Sequence, residues 1–377
     1  MVNSINSIMY NLSLLNQKNE KVTYSMSSGN ALQNGSDDSK QYNQILAINN
    51  NVKTYDSILN RIQSSTSFNN SSDSAVSSIK NSLESAQSLI IKALNDTLNT
   101  NDKSSVSYEI DSLKDTLLTL ANSNVNGEYL FSGKNSSVKA FQKDTITGKI
   151  TYTGSNDNKT LNVEKNSYIT QGLNGVELFY YPKDSANTGS ALTFSENEII
   201  SDEDGNVYKL LDNNSDGSFD GLYLNGDSSS TSISIINNGD NTYTINNSTS
   251  SILQSKHSIF DLLEDISNTL NQKDSLGNNI TSDEANDLLS SLFEDLQTGY
   301  DYTNLAHSKL GTRISTIENY ESIIETKLTH FNLLQEEYSS ADLTKLAVES
   351  QSLENTYTAL YSTINKINSL SLVNYLN

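Results

Sequence analysis

The stretch Asp212-Asn213-Asn214-Ser215-Asp216-Gly217 has the donor spacing that opens a calcium loop. Oxygen-bearing side chains alternate, and a glycine at the sixth position allows the sharp turn. Asp212, Asn214 and Asp216 are therefore the candidate calcium ligands. The twelfth position is Tyr223 where a calcium loop has a bidentate Glu, and no helical pattern flanks the stretch. Asp202-Glu203-Asp204-Gly205 adds carboxylates nearby. Asp, Asn and Gly also dominate ordinary turns, and turn chemistry is the expected role. No metal is expected.

Other chemistry is thin. His257, His307 and His330 lie far apart with no partner close in sequence, so structural or solvent-exposed roles are expected. Serine is abundant, yet the Gly-x-Ser-x-Gly of a nucleophile elbow is missing. So are the phosphate-cradling glycine patterns. The chain has no cysteine, which excludes disulfides, thiolate nucleophiles and Cys-based metal sites. The expectation is a protein that is not an enzyme and takes no cofactor.

With no catalytic constellation to position, the organisation of the chain carries the functional signal. The formal net charge of −21 argues against nucleic acid and against an anionic membrane surface. No window approaches the length of apolar sequence that spans a bilayer, and no charged n-region with an apolar h-region opens the chain, so neither membrane insertion nor a conventional signal peptide is expected. Apolar residues make up 35%, low for a single compact core, and Asn and Ser are plentiful. Pro182 is the only proline, which permits long helices.

Both ends carry apolar heptad seams. The first reads Ile5, Ile8, Leu12, Leu15, Asn19, Val22, Met26. The last reads Leu343, Leu346, Ser350, Leu353, Tyr357, Leu360, Ile364, Ile367. Steps of three and four are the signature of a coiled-coil seam, and Asn19 and Ser350 are polar breaks able to fix register. An isolated helix of this length and composition is marginal. The two ends are expected to meet each other and to remain weakly ordered until further helices cover them.

Between the ends the period changes twice. A helix over about 4–28 stops at Gly29. Asn34-Gly35 marks a turn, and Ser36 or Asp37 can cap the next helix. That helix carries Ile45, Ile48, Val52, Tyr55, Leu59 and Ile62, blurs near 64–74, and resumes at Val76, Ile79, Leu83, Ala86, Ile90. It is either one long helix with a polar middle or two stacked ones. A third helix carries Val106, Ile110, Leu113, Leu117 and Leu120. From about 124 to 252 the period is two, with strands expected over 149–153, 160–164, 176–181, 207–211, 221–224, 232–236 and 242–246. Asn237-Asn238-Gly239-Asp240-Asn241 reads as a hairpin connection. Helix returns near Ser258. A long helix opens at Thr281 or Ser282 with Gly299 and Gly311 inside it, and a last one starts near Ala341. The expected division is a terminal coiled-coil domain, residues 1–35 with 341–377; an inner helical bundle, residues 36–135 with 256–340; and an inserted β domain, residues 136–255.

Several stretches resemble the flagellin-like family of axial proteins. Ser7-Ile8-Met9-Tyr10-Asn11 looks like the family's opening Met-Tyr-Asn, and Ser27-Ser28-Gly29 with Ser36-Asp37-Asp38 like its first interhelical loop. Asn126-Gly127-Glu128-Tyr129-Leu130-Phe131-Ser132-Gly133, followed by Phe141, is the most specific match. Gly311-Thr312-Arg313-Ile314, and the closing helix from Ala341-Asp342-Leu343 through Leu370-Ser371-Leu372-Val373-Asn374-Tyr375-Leu376, are also similar. The loop departs in having Asn34-Gly35 and Ser39 where the family usually has proline beside Ser-Asp-Asp. The resemblance implies an α+β fold: a flagellin-like rod of long antiparallel coiled-coil helices from both chain ends, with an inserted antiparallel β domain. It also implies a structural protein of the bacterial flagellum, exported unfolded with a flagellar export chaperone. It would polymerise as a homo-oligomeric ring or tube between the first hook-associated protein and flagellin. The alternatives are a minor flagellin and a calcium-dependent surface-binding module. The assembly interface expected is Ile5, Ile8, Leu12, Leu15, Val22, Met26, Leu353, Tyr357, Leu360, Ile364 and Ile367.

Overall fold

The computed structural model describes residues 2–95, 100–145, 147–214, 217–239 and 241–375, with side chains described only within 6–366. The fold is α+β. In chain order it runs α1 (Val2–Ser28), α2 (Ser39–Leu94), α3 (Thr100–Ala121), β1 (Asn124–Val125), β2 (Glu128–Tyr129), β3 (Phe141–Lys143), β4 (Ile150–Tyr152), β5 (Lys159–Glu164), β6 (Ser167–Gln171), α4 (Gly175–Phe179), β7 (Tyr180–Ala186), β8 (Ala191–Ser195), β9 (Ile199–Asp202), β10 (Val207–Leu211), β11 (Gly221–Leu224), β12 (Ile236–Asn237), β13 (Thr242–Asn246), β14 (Leu253–Ser258), α5 (Ile259–Leu270), α6 (Ser282–Ser339) and α7 (Leu343–Tyr375). By compactness the chain forms two units, one of residues 1–60 with 321–377 and one of residues 61–320.

In the first unit the two ends meet. Leu15 and Val22 of α1 and Leu353 of α7 are buried together, with Leu346, Tyr357 and Leu360 packed around them. The loop after α1 is tied to the turn before α7. The Ala31 amide donates to the Ser339 carbonyl, and the Ala341 amide donates to the Gly29 carbonyl, each at 2.8 Å. Gly29 has a φ of +73°, the left-handed end that lets α1 stop there. Asp38 caps α2 by accepting from the Lys40 and Gln41 amides at 3.0 Å, so neither Ser36 nor Asp37 does. Asp37 is committed elsewhere: its carboxylate accepts from the Asn34 amide and pairs with Lys21.

α2 is one continuous helix, which settles the alternative left by its polar middle, and from Arg61 onward it belongs to the second unit. Serines of that middle and of the stretch after it turn inward on their own backbone. The hydroxyls of Ser67, Ser71, Ser74, Ser78, Ser82 and Ser85 each donate to the carbonyl four residues earlier. The apolar stripe of α2, from Val76 to Ala93, packs with Val106, Ile110 and Leu117 of α3, Leu262, Leu263 and Ile266 of α5, and Leu289 and Leu296 of α6. Gly299, inside α6, faces Tyr181, where an added Cβ would lie 3.3 Å from the ring, so this glycine serves close packing. Thr281 caps α6 in a reciprocal box: the Glu284 amide donates to its hydroxyl at 3.3 Å, and its own amide donates to the Glu284 carboxylate at 2.8 Å.

The β region holds a five-stranded antiparallel sheet ordered β11-β10-β9-β14-β7, a three-stranded sheet β12-β13-β8, and three two-stranded ribbons. Ala186, Leu192, Phe194, Ile200, Leu222, Tyr243, Ile245 and Leu253 form a separate apolar cluster there. The hairpin expected around Asn237–Asn241 joins β12 and β13; Asp240 lies outside the described residues. Two expected strands are corrected. The stretch 176–181 is mostly the short helix α4, because the Asn174 side chain accepts from the Glu177 amide at 2.8 Å and starts a helical turn. The stretch 232–236 reduces to β12 and an isolated bridge from Ile233 to Leu222. Strands β3, β6, β8, β9 and β14 were not expected.

Candidate functional site

The seam residues do not share one environment. Leu15, Val22 and Leu353 are buried, and Ile8, Leu12, Tyr357, Leu360 and Ile364 are half-buried. Met26 is exposed. The Ile5 and Ile367 side chains lie outside the described residues. The Tyr357 hydroxyl donates to the Asn16 side-chain oxygen at 2.7 Å, adding a polar tie between α1 and α7. The middle of each seam is thus occupied within the chain.

Other apolar side chains of the same two helices face solvent. Met9 is 64% exposed, Tyr10 66% and Val348 69%, with Leu14, Leu343 and Tyr361 also exposed. Met9, Tyr10, Leu14, Val348 and Tyr361 fall between the seam positions, whereas Leu343 is a seam residue that the fold leaves in water. The signal available was their number: α1 carries more large apolar residues than one stripe can absorb.

The most specific family-like stretch forms a packing node in the second unit. Asn126 (φ 53°) and Gly127 (φ 85°) make the turn between β1 and β2. Phe131 then enters the core edge-on to Phe179, with ring centroids 6.2 Å apart. Phe141 meets Phe179 and Phe260, each at 5.0 Å. Gly133 has a φ of +61°, and a Cβ there would fall 2.2 Å from the Ser155 carbonyl oxygen. Only glycine fits that approach of two backbones.

Arg313 joins α6 to the segment around α4. Its guanidinium donates to both Glu177 oxygens at 3.0 Å and to the Gly172 carbonyl at 2.6 Å. Burial alone would raise the Glu177 carboxyl. The hydrogen bonds and charge of Arg313, with a further bond from Asn158, outweigh it and hold the group below its ordinary range. The Gly172 amide in turn donates to Asn69 of α2 at 2.9 Å.

Two histidines have partners that only the fold supplies. His307 lies 2.8 Å from the Asp73 carboxylate. His257 is buried between Glu198, at 3.3 Å, and Asp265, at 3.9 Å. His330 packs against Phe331. In the candidate calcium loop, Asp212 accepts from the Gly217 amide at 2.9 Å and Asp220 accepts from the Asn213 amide at 2.8 Å. These carboxylates hold the turn; Asp216 lies outside the described residues. Among the described residues, no group of His, Asp or Glu is arranged to hold a metal ion.

The bacterial flagellin N-terminal helical region matches residues 2–136. Flagellar hook-associated protein 3 of Salmonella typhimurium is 28% identical over 141 residues, which cover 37% of this chain and 41% of that protein. The Escherichia coli protein of the same name is 31% identical over 108 residues, covering 28% and 33%. The match spans about two fifths of the Salmonella relative's length at most. The flagellar hook-associated protein-3 structure from Legionella pneumophila shares the fold, with a TM-score of 0.53 at 19% identity over 78% of this chain and 98% of that one. Residues 2–136 match the flagellin N-terminal helical region, and the resemblance to the flagellin-like family, and within it to flagellar hook-associated protein 3, is borne out by these relatives, while the solved structure shares the α+β fold.

Proposed function

We propose that this chain is a structural subunit of the bacterial flagellum, and that it forms the junction between the hook and the flagellin filament. The observation that carries the reading is the state of the two ends. They share a thin core of Leu15, Val22 and Leu353 and leave Met9, Tyr10, Leu14 and Val348 in water. Helices that bury so little on their own gain stability from neighbours, as a segment does that orders on binding. In this reading the seam residues Ile5 to Met26 and Leu353 to Ile367 form the assembly region. The terminal coiled-coil domain, residues 1–35 with 341–377, stacks copies of the chain into a ring or tube. The remaining parts are the inner helical bundle, residues 36–135 with 256–340, and the inserted β domain, residues 136–255. The subunit leaves the cell unfolded through the flagellar export channel, with a chaperone on the C-terminal helix, and contacts the first hook-associated protein on one side and flagellin on the other. It performs no catalysis.

The reading is tested on isolated flagella. Immunogold against the chain should label a single band at the hook–filament boundary. Cells lacking the gene should shed filament monomer into the medium. A second reading, a minor flagellin, is favoured by the match to the flagellin N-terminal helical region. It predicts label along the filament and no shedding. A Leu12→Asp variant should fail to assemble while its β region folds; normal incorporation of that variant would remove the terminal seams from the interface.

A further inference from the structure

Within the first unit the helices divide into an arm and a body. α1 packs its backbone closely on α7, and neither has comparable packing on α2 or α6 among the described residues. α2 and α6 hold each other through Tyr55, stacked on Phe331 with ring centroids 5.4 Å apart, and through the Gln41 side chain, which donates to the Tyr338 carbonyl at 2.7 Å. The loop 34–38 belongs to this body. Asp38 caps α2, and Gly35 lies so close to Tyr42 that an added Cβ would fall 2.8 Å from the ring.

The passage from body to arm is polar. Its two segments are stitched by the Ala31–Ser339 and Ala341–Gly29 hydrogen bonds and by a bridge of Asn30 with Ser340. None of residues 29–32 and 339–342 is buried. The seam positions nearest the stitch, Met26 and Leu343, are exposed, so the α1–α7 core does not continue across it. Gly29 has open space where a Cβ would lie. A level held by exposed backbone bonds with few buried apolar contacts is where a fold bends at least cost. Lys21 of α1 reaches back over this level to pair with Asp37. Asp37 is itself fixed to the body: its carboxylate accepts from the Asn34 amide at 2.8 Å, and its amide donates to the Asn34 carbonyl at 3.0 Å.

We propose that residues 29–31 and 339–341 form a stitched hinge, about which α1 and α7 swing together as one arm, with the Lys21–Asp37 pair fixing its angle. Hinges are a few residues at element ends that absorb changes in φ and ψ. Both stitching bonds lie on the pivot, so they keep α1 and α7 side by side and in register while it turns. Lys21 is more than half exposed, and such a pair biases an equilibrium only a few-fold and is screened by salt. The angle is therefore held in the free chain and yields to any stronger contact.

The chain has no cysteine, so paired spin labels can be placed at chosen positions without removing native thiols. In the intact chain, Asn11→Cys with Ser57→Cys reads across the hinge, and Asn11→Cys with Gln351→Cys reads within the arm; all three positions are exposed. Pulsed electron–electron double resonance should give one narrow distance distribution for each pair. Lys21→Met, or high salt, should raise the share of cross-hinge distances outside the main peak by about threefold, the bias an exposed ion pair supplies. The distribution within the arm should not change. Lys21→Arg should restore the native cross-hinge distribution. A cross-hinge distribution that Lys21→Met leaves unchanged would overturn the role of the pair. Broadening within the arm to the same degree would overturn the hinge, because α1 and α7 would then be separating rather than swinging together.

Discussion

Arg313 and Glu177 face each other as a two-pronged pair, with both guanidinium–carboxylate contacts at 3.0 Å, 136 residues apart in sequence. Both side chains are mostly buried, and the same guanidinium takes the Gly172 carbonyl. Arg313→Ala should lower the stability of the 61–320 unit by about 2 kcal/mol, because it leaves a half-buried carboxylate without its partner. Arg313→Lys should recover less than half of that, since an ammonium cannot match the fork. Urea denaturation measures both. Glu177 sits below its ordinary 4.5, so its contribution is present above that value and fades as pH falls below it; acid should narrow the gap between native and variant.

Two neighbouring glycines should respond differently to alanine. Gly127 and Gly133 both have positive φ, but only Gly133 has backbone oxygens where a Cβ would go. Gly127→Ala should cost about 1 kcal/mol for its conformation alone. Gly133→Ala should cost more than about 3 kcal/mol and loosen the Phe131 packing, because strain and overlap add. Equal thermal shifts in the two variants would contradict the steric account.

These particulars show what was legible in the sequence. The long helices announced themselves through heptad spacing, the short α4 did not, and the Tyr129-Leu130-Phe131 stretch was legible through its likeness to a family. Its role as an aromatic packing node was not legible, because Phe179 and Phe260 come from distant segments. Nor was the His257 cluster, since Glu198 and Asp265 join it only through sheet register and helix packing. The missed strand Leu253–Ser258 has Leu253 as its one aliphatic residue among Gln, Ser, Lys and His, so its alternation is faint; Ala191–Ser195 alternates with Leu192 and Phe194 inward, but over five residues only. The seams were legible as seams; which apolar side chains remain in water was not, because that depends on which stripe the partner helix covers.

The terminal unit should open before the rest. Among the described residues its α1–α7 core is Leu15, Val22 and Leu353, and deleting most of a buried leucine costs about 2–5 kcal/mol. In Leu353→Ala, amides of α1 and α7 should exchange at near-unprotected rates while α2 residues 76–90 keep their protection. Mass spectrometry of exchange reads this peptide by peptide. Unchanged protection in α1 would mean that other contacts hold the ends.

Calcium should leave the chain unmoved. Asp212 and Asp220 accept from amides of their own turn, and Tyr223 stands where a bidentate ligand is needed. At millimolar Ca²⁺ the melting temperature should shift by less than about 1 °C, because a ligand that does not bind the folded state adds nothing to it. A rise of several degrees, lost in Asp212→Asn, would restore the metal site.

The inward-turned serines of α2 bear on how the chain behaves when it is not folded. Ser and Asn rank low among helix formers, and a hydroxyl bonded to its own helix weakens it slightly. The stiffness of this helix of 56 residues is therefore on loan from Val76, Ile79, Leu83, Ile90 and what they touch. Stripped of those neighbours, the segment has little reason to persist as a free-standing rod. It would relax to a thin, pliant thread that becomes stiff again only where its layer is rebuilt.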